Sequence, residues 1–402
     1  MSVFIAYHCP CVDGSYAATA AYFFFKEMAN QKRPISEFIS YIESMKEFNP
    51  EKEIEPFLKL TIAIDGKTEE KTDPTEETKL PLDTQKDKDK DKLSNTKIVT
   101  ATIDNLYFVP AKLNAAKKID YDFEKFGTKH LADSVMFMLD YYGGRENMLA
   151  FCEMFKKVVI IDHHLTLQVL LSEMKEKPAN LVIYYDETMS GATLSIKFFE
   201  KIGEKPLIKD STLYGNFMKT ALLVEDHDIK AGKLKDSEEF IAGYRALKLC
   251  TDALINPDMF EQLARLDSEK LIEMGQVLLE GHLKMVEEIA KTRQLVYIGG
   301  KSEEGKSKLG VACYACKCKE SAIWDLLANK LARMSFEDGH SNMGLVYPDA
   351  HYPILRVSLR SAKDLPEGDC QTVASHFKGG GHFNSAGFHI DSKELKTWFE
   401  TK

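Results

Sequence analysis

The stretch that decides the fold reads Val158-Val159-Ile160-Ile161-Asp162-His163-His164. Four consecutive apolar residues predict a short strand buried on both faces, which is typical of the centre of a parallel sheet. An acidic residue and two histidines stand where this strand ends. Ligands of open parallel sheets bind beyond the carboxyl ends of the strands, so the same stretch also predicts a functional site.

Two other predicted strands end in the same way. Residues 3–7 run into a segment that holds His8, Cys11 and Asp13, and residues 135–139 run into Asp140. Helical patterns separate the strands, and this alternation predicts an α/β fold with a doubly wound, mainly parallel sheet. A parallel sheet would bring these polar side chains to one edge.

A change of pattern divides the rest of the chain. Residues 269–295 predict a long connecting helix, and the strands predicted beyond it indicate a second, smaller α/β domain at residues 296–402. The first domain, residues 1–268, contains a segment at 66–97 with 8 basic and 9 acidic side chains. Such a segment buries too little apolar surface to offset its ordering entropy, so we expect a disordered insertion.

Composition narrows the class of protein. The chain has 53 basic and 62 acidic residues and a net charge of −9, which argues against binding nucleic acid through bulk positive charge. A small phosphorylated substrate stays open, because bound cations would reverse the local field. No apolar run reaches the length of a membrane span. Sparse cysteines and a start without a targeting pattern favour a cytoplasmic protein, whereas the oligomeric state is not predicted.

The acidic edge predicts metal ions. Carboxylates crowded there would repel one another, and divalent cations would remove the conflict. Oxygen and imidazole ligands suit manganese, magnesium, zinc or iron. Two such ions about 3.5–4 Å apart would polarise a phosphoryl oxygen and supply a hydroxide.

At these residues the chain resembles the DHH phosphoesterase superfamily, which is named for an Asp-His-His motif. Asp162-His163-His164 matches that motif, and the family's other motifs are matched in order by His8 with Asp13, by Asp140 and by Asp226. Gly379-Gly380-Gly381-His382 matches the motif of the DHH-associated domain that usually follows. The resemblance covers nearly the whole chain outside the insertion.

The resemblance implies a role for each matching residue. Two divalent ions, with manganese favoured, would bind to His8, Asp13, Asp140, His163 and Asp226. Asp162 would orient its neighbours and His164 would face the substrate phosphate, so these two are the expected catalytic pair. Arg360 and the loop of Gly379, Gly380, Gly381 and His382 would bind substrate. Ser190 and Gly191, which open a predicted helix, add a candidate anion site.

One position departs from the family. Many relatives have an acidic residue where this chain has Cys11, whose thiolate would favour zinc or iron. Whether Cys11 binds a metal stays open, because a free cysteine is often just a small buried residue. His227 and Asp228, beside Asp226, are expected to be ordinary polar surface residues.

Three functions follow from these features. The leading hypothesis is a metal-dependent phosphoesterase that hydrolyses a small phosphodiester, such as a dinucleotide or a short single-stranded oligonucleotide. An inorganic pyrophosphatase or exopolyphosphatase is the first alternative. The second is a protein that binds phosphorylated ligands but has lost turnover, which the cysteine at position 11 keeps open.

Overall fold

The computed structural model describes residues 1–49, 51, 105–111, 131–203, 206–301, 307, 309–349, 352–366 and 368–399, with His382 described by its backbone alone. The charged insertion predicted at residues 66–97 lies outside these ranges. The chain divides into two compact units, Met1–Gly275 and Gln276–Lys402.

A parallel sheet forms the centre of the first unit. Its strands are β1 (Val3–His8), β2 (Leu106–Ala111), β3 (Val135–Leu139), β4 (Lys157–Asp162) and β5 (Leu181–Tyr185). They are ordered β2-β1-β3-β4-β5, and all four neighbouring pairs are parallel. The predicted α/β class with a parallel sheet is therefore confirmed.

Helices connect these strands and continue beyond them. They are α1 (Val12–Asn30), α2 (Ile35–Ser44), α3 (Gly144–Met154), α4 (Leu165–Glu173), α5 (Gly191–Gly203), α6 (Ser211–Asp228), α7 (Ser237–Leu247), α8 (Met259–Ala264) and α9 (Ser268–Ala290). No helix in the described part of the chain is both long enough and apolar enough to cross a membrane.

Alternation along the strands produces two hydrophobic cores, one on each face of the sheet. In β3, Phe137 packs into one core together with apolar residues of α1 and α5, whereas Met136 and Met138 pack into the other with residues of α3 and α4. Successive strand side chains point to opposite faces, and both faces here are covered by helices. This is why the strands read as nearly continuous apolar runs.

The second unit contains a mixed six-stranded sheet. Its elements are β6 (Gln294–Tyr297), β7 (Ala312–Cys318), α10 (Trp324–Glu337), β8 (Gly344–Pro348), β9 (Ile354–Arg360), α11 (Cys370–His376), β10 (Gly380–His382), β11 (Ser385–Asp391) and α12 (Ser392–Lys396). The strand order is β10-β11-β9-β8-β7-β6, and among the described strands of this sheet only β7 and β8 pair in parallel.

The second unit begins earlier than the sequence predicts. The predicted border lies at residue 296, after the connecting helix, whereas the second unit starts at Gln276, inside α9. The end of α9 belongs there because Val286 and Ala290 are buried in one cluster with Leu327 and Leu331 of α10. That this unit is a DHH-associated domain stays a prediction.

Candidate metal centre

Three adjacent strands end at the same edge of the first sheet. The strand β1 ends at His8, Asp140 follows the last residue of β3, and β4 ends at Asp162, directly before His163. Because β1, β3 and β4 are parallel neighbours, these four residues stand side by side. The edge predicted from the sequence therefore exists as a cluster of acidic and imidazole groups.

The cluster consists of three overlapping groups whose donor atoms lie within 4.8 Å of one another in each group. We use the name acidic cluster for the eight residues that form them: His8, Cys11, Asp13, Asp140, Asp162, His163, His164 and Asp228. Seven of these were singled out from the sequence as site residues, and Asp228 was not.

Asp140 links the groups to one another. Its Oδ2 lies 3.2 Å from His8 Nδ1, and its Oδ1 lies 3.3 Å from His163 Nε2. Burial acts to raise its pKa, but these two imidazoles outweigh burial and lower the pKa of Asp140 to about 2. Its φ of 53° is a left-handed conformation that non-glycine residues adopt rarely and that occurs often at functional sites.

Asp13 lies in the first turn of α1 and faces the start of α5. Its carboxylate accepts hydrogen bonds from the backbone N–H of Gly191 at 2.7 Å and of Ala192 at 3.0 Å. Burial, reinforced by the charges of Asp140 and Asp228, raises the pKa of Asp13 well above its usual range. A cation beside this carboxylate would remove that repulsion.

Gly191 makes this close approach possible. A Cβ at this position would lie 2.5 Å from the Cβ of Asp140 and 2.9 Å from Oδ2 of Asp13. Only glycine allows the start of α5 to lie so close to both carboxylates.

The start of α5 is not the anion site that the sequence predicts at Ser190 and Gly191. The N–H of Gly191 already donates to Asp13, and the N–H of Ser190 donates to Oε2 of Glu225 at 3.2 Å. Ser190 is also fully buried. Carboxylates of the protein itself occupy the positive end of this helix, so a substrate phosphate finds no free donor there.

Asp162 organises the turn after β4. Its Oδ1 accepts hydrogen bonds from the backbone N–H of His163 at 2.8 Å and of His164 at 3.2 Å, and contacts His164 Nδ1 at 2.6 Å. Burial acts to lower the pKa of His164, but this hydrogen bond outweighs it and raises the pKa to about 9. With its side chain 41% exposed, His164 remains accessible to solvent.

His163 is the meeting point of three carboxylates. Its Nε2 lies 3.3 Å from Oδ1 of Asp140, 3.4 Å from Oδ2 of Asp228 and 3.7 Å from Oδ2 of Asp13. Ligand atoms about 2.1 Å from one divalent ion are roughly 3.0–3.4 Å apart in octahedral or tetrahedral geometry. These separations are close to those of a ligand set.

The structure does not bring Asp226 to the cluster, contrary to the sequence-based assignment. Its Oδ1 accepts from the backbone N–H of Lys233 and Leu234, at 2.7 and 3.1 Å, and its Oδ2 accepts from Ser237 Oγ at 2.7 Å. These bonds hold the turn after α6 and use both oxygens. Asp228, interpreted from the sequence as an ordinary surface residue, takes the place beside His163.

The geometry of a helix explains this exchange. Asp226 and Asp228 both lie in the last turn of α6. Residues two apart on a helix point to nearly opposite sides, so only one of them can face the cluster. The sequence shows two aspartates two residues apart, Asp226 and Asp228, but it does not indicate which of them faces the acidic cluster.

Cys11 lies in one group with His8 and Asp140. Burial raises the pKa of its thiol, and the negative charges of Asp140 and Asp13 act in the same direction. Without a cation nearby, the thiol would therefore stay protonated.

The donor set fits divalent cations. Oδ2 of Asp162 is buried and has no hydrogen-bond partner among the described residues, and Oδ1 of Asp140 is buried and faces His163 Nε2 at 3.3 Å. Buried carboxylate oxygens without partners are costly unless a cation or a donor faces them. Oxygen and imidazole donors around such oxygens are the ligands that manganese, magnesium, zinc and iron bind.

The predicted substrate-binding residues of the second unit are arranged across its sheet. Gly380 and Gly381 lie with His382 in the short strand β10, paired antiparallel to β11, where a loop was expected. Gly379, directly before it, has no room for a Cβ, which would lie 2.3 Å from a backbone oxygen of β11. Their predicted contact with substrate remains a prediction.

Arg360 ends β9 and is opposite Ser385 of β11, which in turn is opposite His382. Its guanidinium donates to Asp325 Oδ1 at 2.5 Å and to the carbonyls of Leu359 and Ala386. A substrate phosphate at Arg360 would therefore compete with Asp325.

Fold and site together define an α/β protein with a candidate metal centre at the carboxyl edge of a parallel sheet. No family model and no curated protein matches the chain. Solved structures similar to it include an uncharacterised protein from Helicobacter pylori G27, at 11% identity over 98% of this chain and 94% of that one, with a TM-score of 0.30.

Two similar structures have named activities. One is a pGpG-specific phosphodiesterase, PggH, from Vibrio cholerae, at 10% identity over 73% of this chain and 86% of that one, with a TM-score of 0.34. The other is RecJ from Thermus thermophilus in complex with Mg²⁺, at 13% identity over 65% of this chain and 42% of that one, with a TM-score of 0.30. Similarities this low assign neither a family nor a function to the chain.

Proposed function

We propose that this protein is a metal-dependent phosphoesterase that hydrolyses a small phosphodiester, such as a dinucleotide or a short single-stranded oligonucleotide. The observation that carries the proposal is the acidic cluster, in which Asp13, Asp140 and Asp228 surround Nε2 of His163. Three carboxylates held this close together repel one another more than a single imidazole can offset, and bound cations would remove that repulsion.

The ligands would be shared between two divalent ions. Asp13, Asp140, His163 and Asp228 would hold them, with His8 and Cys11 at the side of the cluster where β1 ends. Bound there, the ions would polarise a phosphoryl oxygen and supply a hydroxide at neutral pH. Manganese is favoured by the oxygen and imidazole ligands, and a thiolate at Cys11 would shift the preference to zinc or iron.

The residues of the chain would orient the substrate. Oδ1 of Asp162 already accepts two backbone N–H groups, so it acts as an acceptor toward His164 and places the proton on Nδ1 of that ring. Because the pKa of His164 is raised to about 9, the ring carries a second proton at neutral pH, and its Nε2–H would donate a hydrogen bond to a phosphoryl oxygen. Asp162 acts here by fixing the ring, as carboxylates beside active-site histidines do.

A substrate panel tests the proposal. The purified full chain would be assayed with Mn²⁺, Mg²⁺ or Zn²⁺ against a dinucleotide, a short single-stranded oligonucleotide, pyrophosphate and polyphosphate. We expect metal-dependent hydrolysis of the nucleotides. Preferential turnover of pyrophosphate or polyphosphate would instead favour the phosphoanhydride hydrolase, and ligand binding without turnover with any metal would favour a binding protein.

Two substitutions make the test specific to the cluster. Asp140→Asn should abolish hydrolysis, because it removes the charge of the residue that two of the three ligand groups share. Asp210→Asn is the matched control: Asp210 caps α6 by accepting from the N–H of Leu213, and asparagine caps a helix equally well. Near-native rates in the Asp140 variant would refute the assignment of the site.

A further inference from the structure

A cavity of about 340 Å³ opens beside the acidic cluster within the first unit. Cys11, Asp13 and Asp228 form its inner wall. A second wall is formed by the last turn of α7 and by the segment that follows it, up to Thr251. Its volume lies at the lower end of the range of small-molecule sites, about 300–1,000 Å³.

Two cations line this cavity on the side of α7. Arg245 and Lys248 are exposed, and neither forms an ion pair or a side-chain hydrogen bond with another residue in the described ranges. Arg245 lies in the last turn of α7 and Lys248 directly after it, and both contribute to the lining of this cavity. These two cations place positive charge on the wall of a cavity that carboxylates of the acidic cluster also line. The pKa of Glu238 is lowered by its hydrogen bond with His227 and also by the charge of Arg245, so Arg245 has one acidic neighbour beyond ion-pair distance.

Lys248 has a backbone conformation that recurs at lysines of this chain. Lys248 directly follows α7 and has a φ of 50°, the left-handed conformation that glycine adopts most easily after a helix. Lys32, Lys230 and Lys378 have similar φ values after other helices, so the conformation does not distinguish Lys248, and glycine would fit this backbone at least as well.

The buried hydroxyl of Tyr244 is a separate observation in favour of a ligand in this cavity. The residue lines the cavity and is 6% exposed. Its hydroxyl is buried and has no hydrogen-bond partner among the described residues. A buried hydroxyl without a partner is unfavourable, and a polar group of a bound ligand would satisfy it.

The remaining walls suit a partly apolar body. Val224, Ile241 and Leu249 contribute apolar surface. The wall at Thr251 is firmly positioned, because Tyr7 of β1 donates its hydroxyl hydrogen to the Thr251 carbonyl oxygen at 2.8 Å. The cavity thus combines apolar surface with carboxylates of the acidic cluster and with the two cations.

We infer that this cavity binds the nucleoside next to the scissile phosphate, and that Arg245 and Lys248 bind a second phosphate beyond that nucleoside. The inference rests on the proposed function and adds a requirement for a second phosphate. The apolar walls would contact the nucleoside and the Tyr244 hydroxyl would bond one of its polar groups. Repulsion by the carboxylates and attraction by the cations would together fix the direction in which the substrate lies.

Three substrates test this inference with the metal-loaded protein. They are a dinucleotide with a terminal phosphate, the same dinucleotide without it, and an unphosphorylated trinucleotide whose internal phosphodiester could reach the same cations. We expect a preference of about tenfold or more in kcat/KM for the terminally phosphorylated dinucleotide over the unphosphorylated one. The trinucleotide shows whether an internal phosphodiester replaces the terminal group.

The variants locate the preference on α7. Arg245→Gln should remove most of the preference for the terminally phosphorylated dinucleotide by raising the KM for that substrate about tenfold, with kcat little changed. Lys248→Gly should weaken it in the same way while the Tm stays level or rises, because glycine suits the left-handed backbone. Arg265→Gln is the control: this arginine is 66% exposed, pairs with Glu261 and is not among the residues that line the cavity. Unchanged preference in both cavity variants would overturn the inference.

A binding measurement separates this inference from the proposed function. If the protein hydrolyses none of the substrates, calorimetry compares the binding of AMP and of adenosine to the metal-loaded wild type and the Arg245 variant. Weaker binding of AMP alone in the variant would support the phosphate site although the enzyme assignment fails. Equal affinity of AMP for both proteins would refute the site.

Discussion

Replacing Gly191 by alanine tests the architecture of the metal centre most directly. The new Cβ would lie 2.5 Å from the Cβ of Asp140, whereas carbon atoms in contact are about 3.5–4.0 Å apart. Either Asp140 or the start of α5 must therefore move by about 1 Å. Overpacking of this kind costs about 1–3 kcal/mol of stability.

The same shift should impair metal binding. Functional groups must keep their positions to about 0.5 Å, so a displacement of about 1 Å moves Asp140 out of range. We expect Gly191→Ala to lower the affinity for Mn²⁺ at least tenfold, measured by titration calorimetry, and to lower the Tm. Gly215→Ala is the matched control, because Gly215 lies within α6 and a methyl group added there would have no atom within 4 Å.

The control should behave in the opposite way. Alanine in an open helical position stabilises by up to about 1 kcal/mol relative to glycine, without any effect on the metal. If Gly191→Ala binds Mn²⁺ with wild-type affinity and melts at the wild-type temperature, the close packing of α5 against the two carboxylates does not support the site, and the reasoning fails.

Two further predictions concern the acidic residues. Asp226→Ala should lower the free energy of unfolding by about 1–3 kcal/mol, because two N–H groups and one hydroxyl lose their acceptor, and it should leave the metal affinity unchanged. Asp228→Ala should instead lower the metal affinity and change the stability little. Calorimetry and a thermal melt of each variant test this, and a loss of metal affinity in the Asp226 variant alone would contradict it. Adding EDTA should lower the Tm of the wild-type protein, because free metal at about 100 times Kd stabilises the folded state by about 2.7 kcal/mol. The Tm of Asp140→Asn should respond little to EDTA, and a wild type that is equally indifferent would argue against a metal centre.

Much of the site could be predicted because its residues are tied to local patterns. Asp140 and His163 directly follow apolar runs, and such runs in an alternating α/β chain predict parallel strands whose ends meet. His8, at the end of β1, was found in the same way. Sequence position was a good guide here because the end of a strand specifies both the place and the direction of the next side chain.

Other parts of the site depended on contacts between distant segments. Sequence alone could not show that Asp13 occupies the N-terminus of α5, because residues 13 and 191 are brought together only by the packing of α1 on α5. The same limit applies to Tyr244 and Arg245, which read as ordinary helical residues until α7 is placed beside the cluster.

The sequence by itself determined the α/β class, the edge of the sheet at which the site lies and the kind of ligand atoms that gather there. These properties follow from strand periodicity and from the residue types that end each strand. Only the tertiary structure decided between Asp226 and Asp228, because two residues on opposite sides of one helix differ only in what that helix packs against. It likewise decided that the start of α5 binds a carboxylate of the protein and that cations of α7 line the cavity beside the cluster.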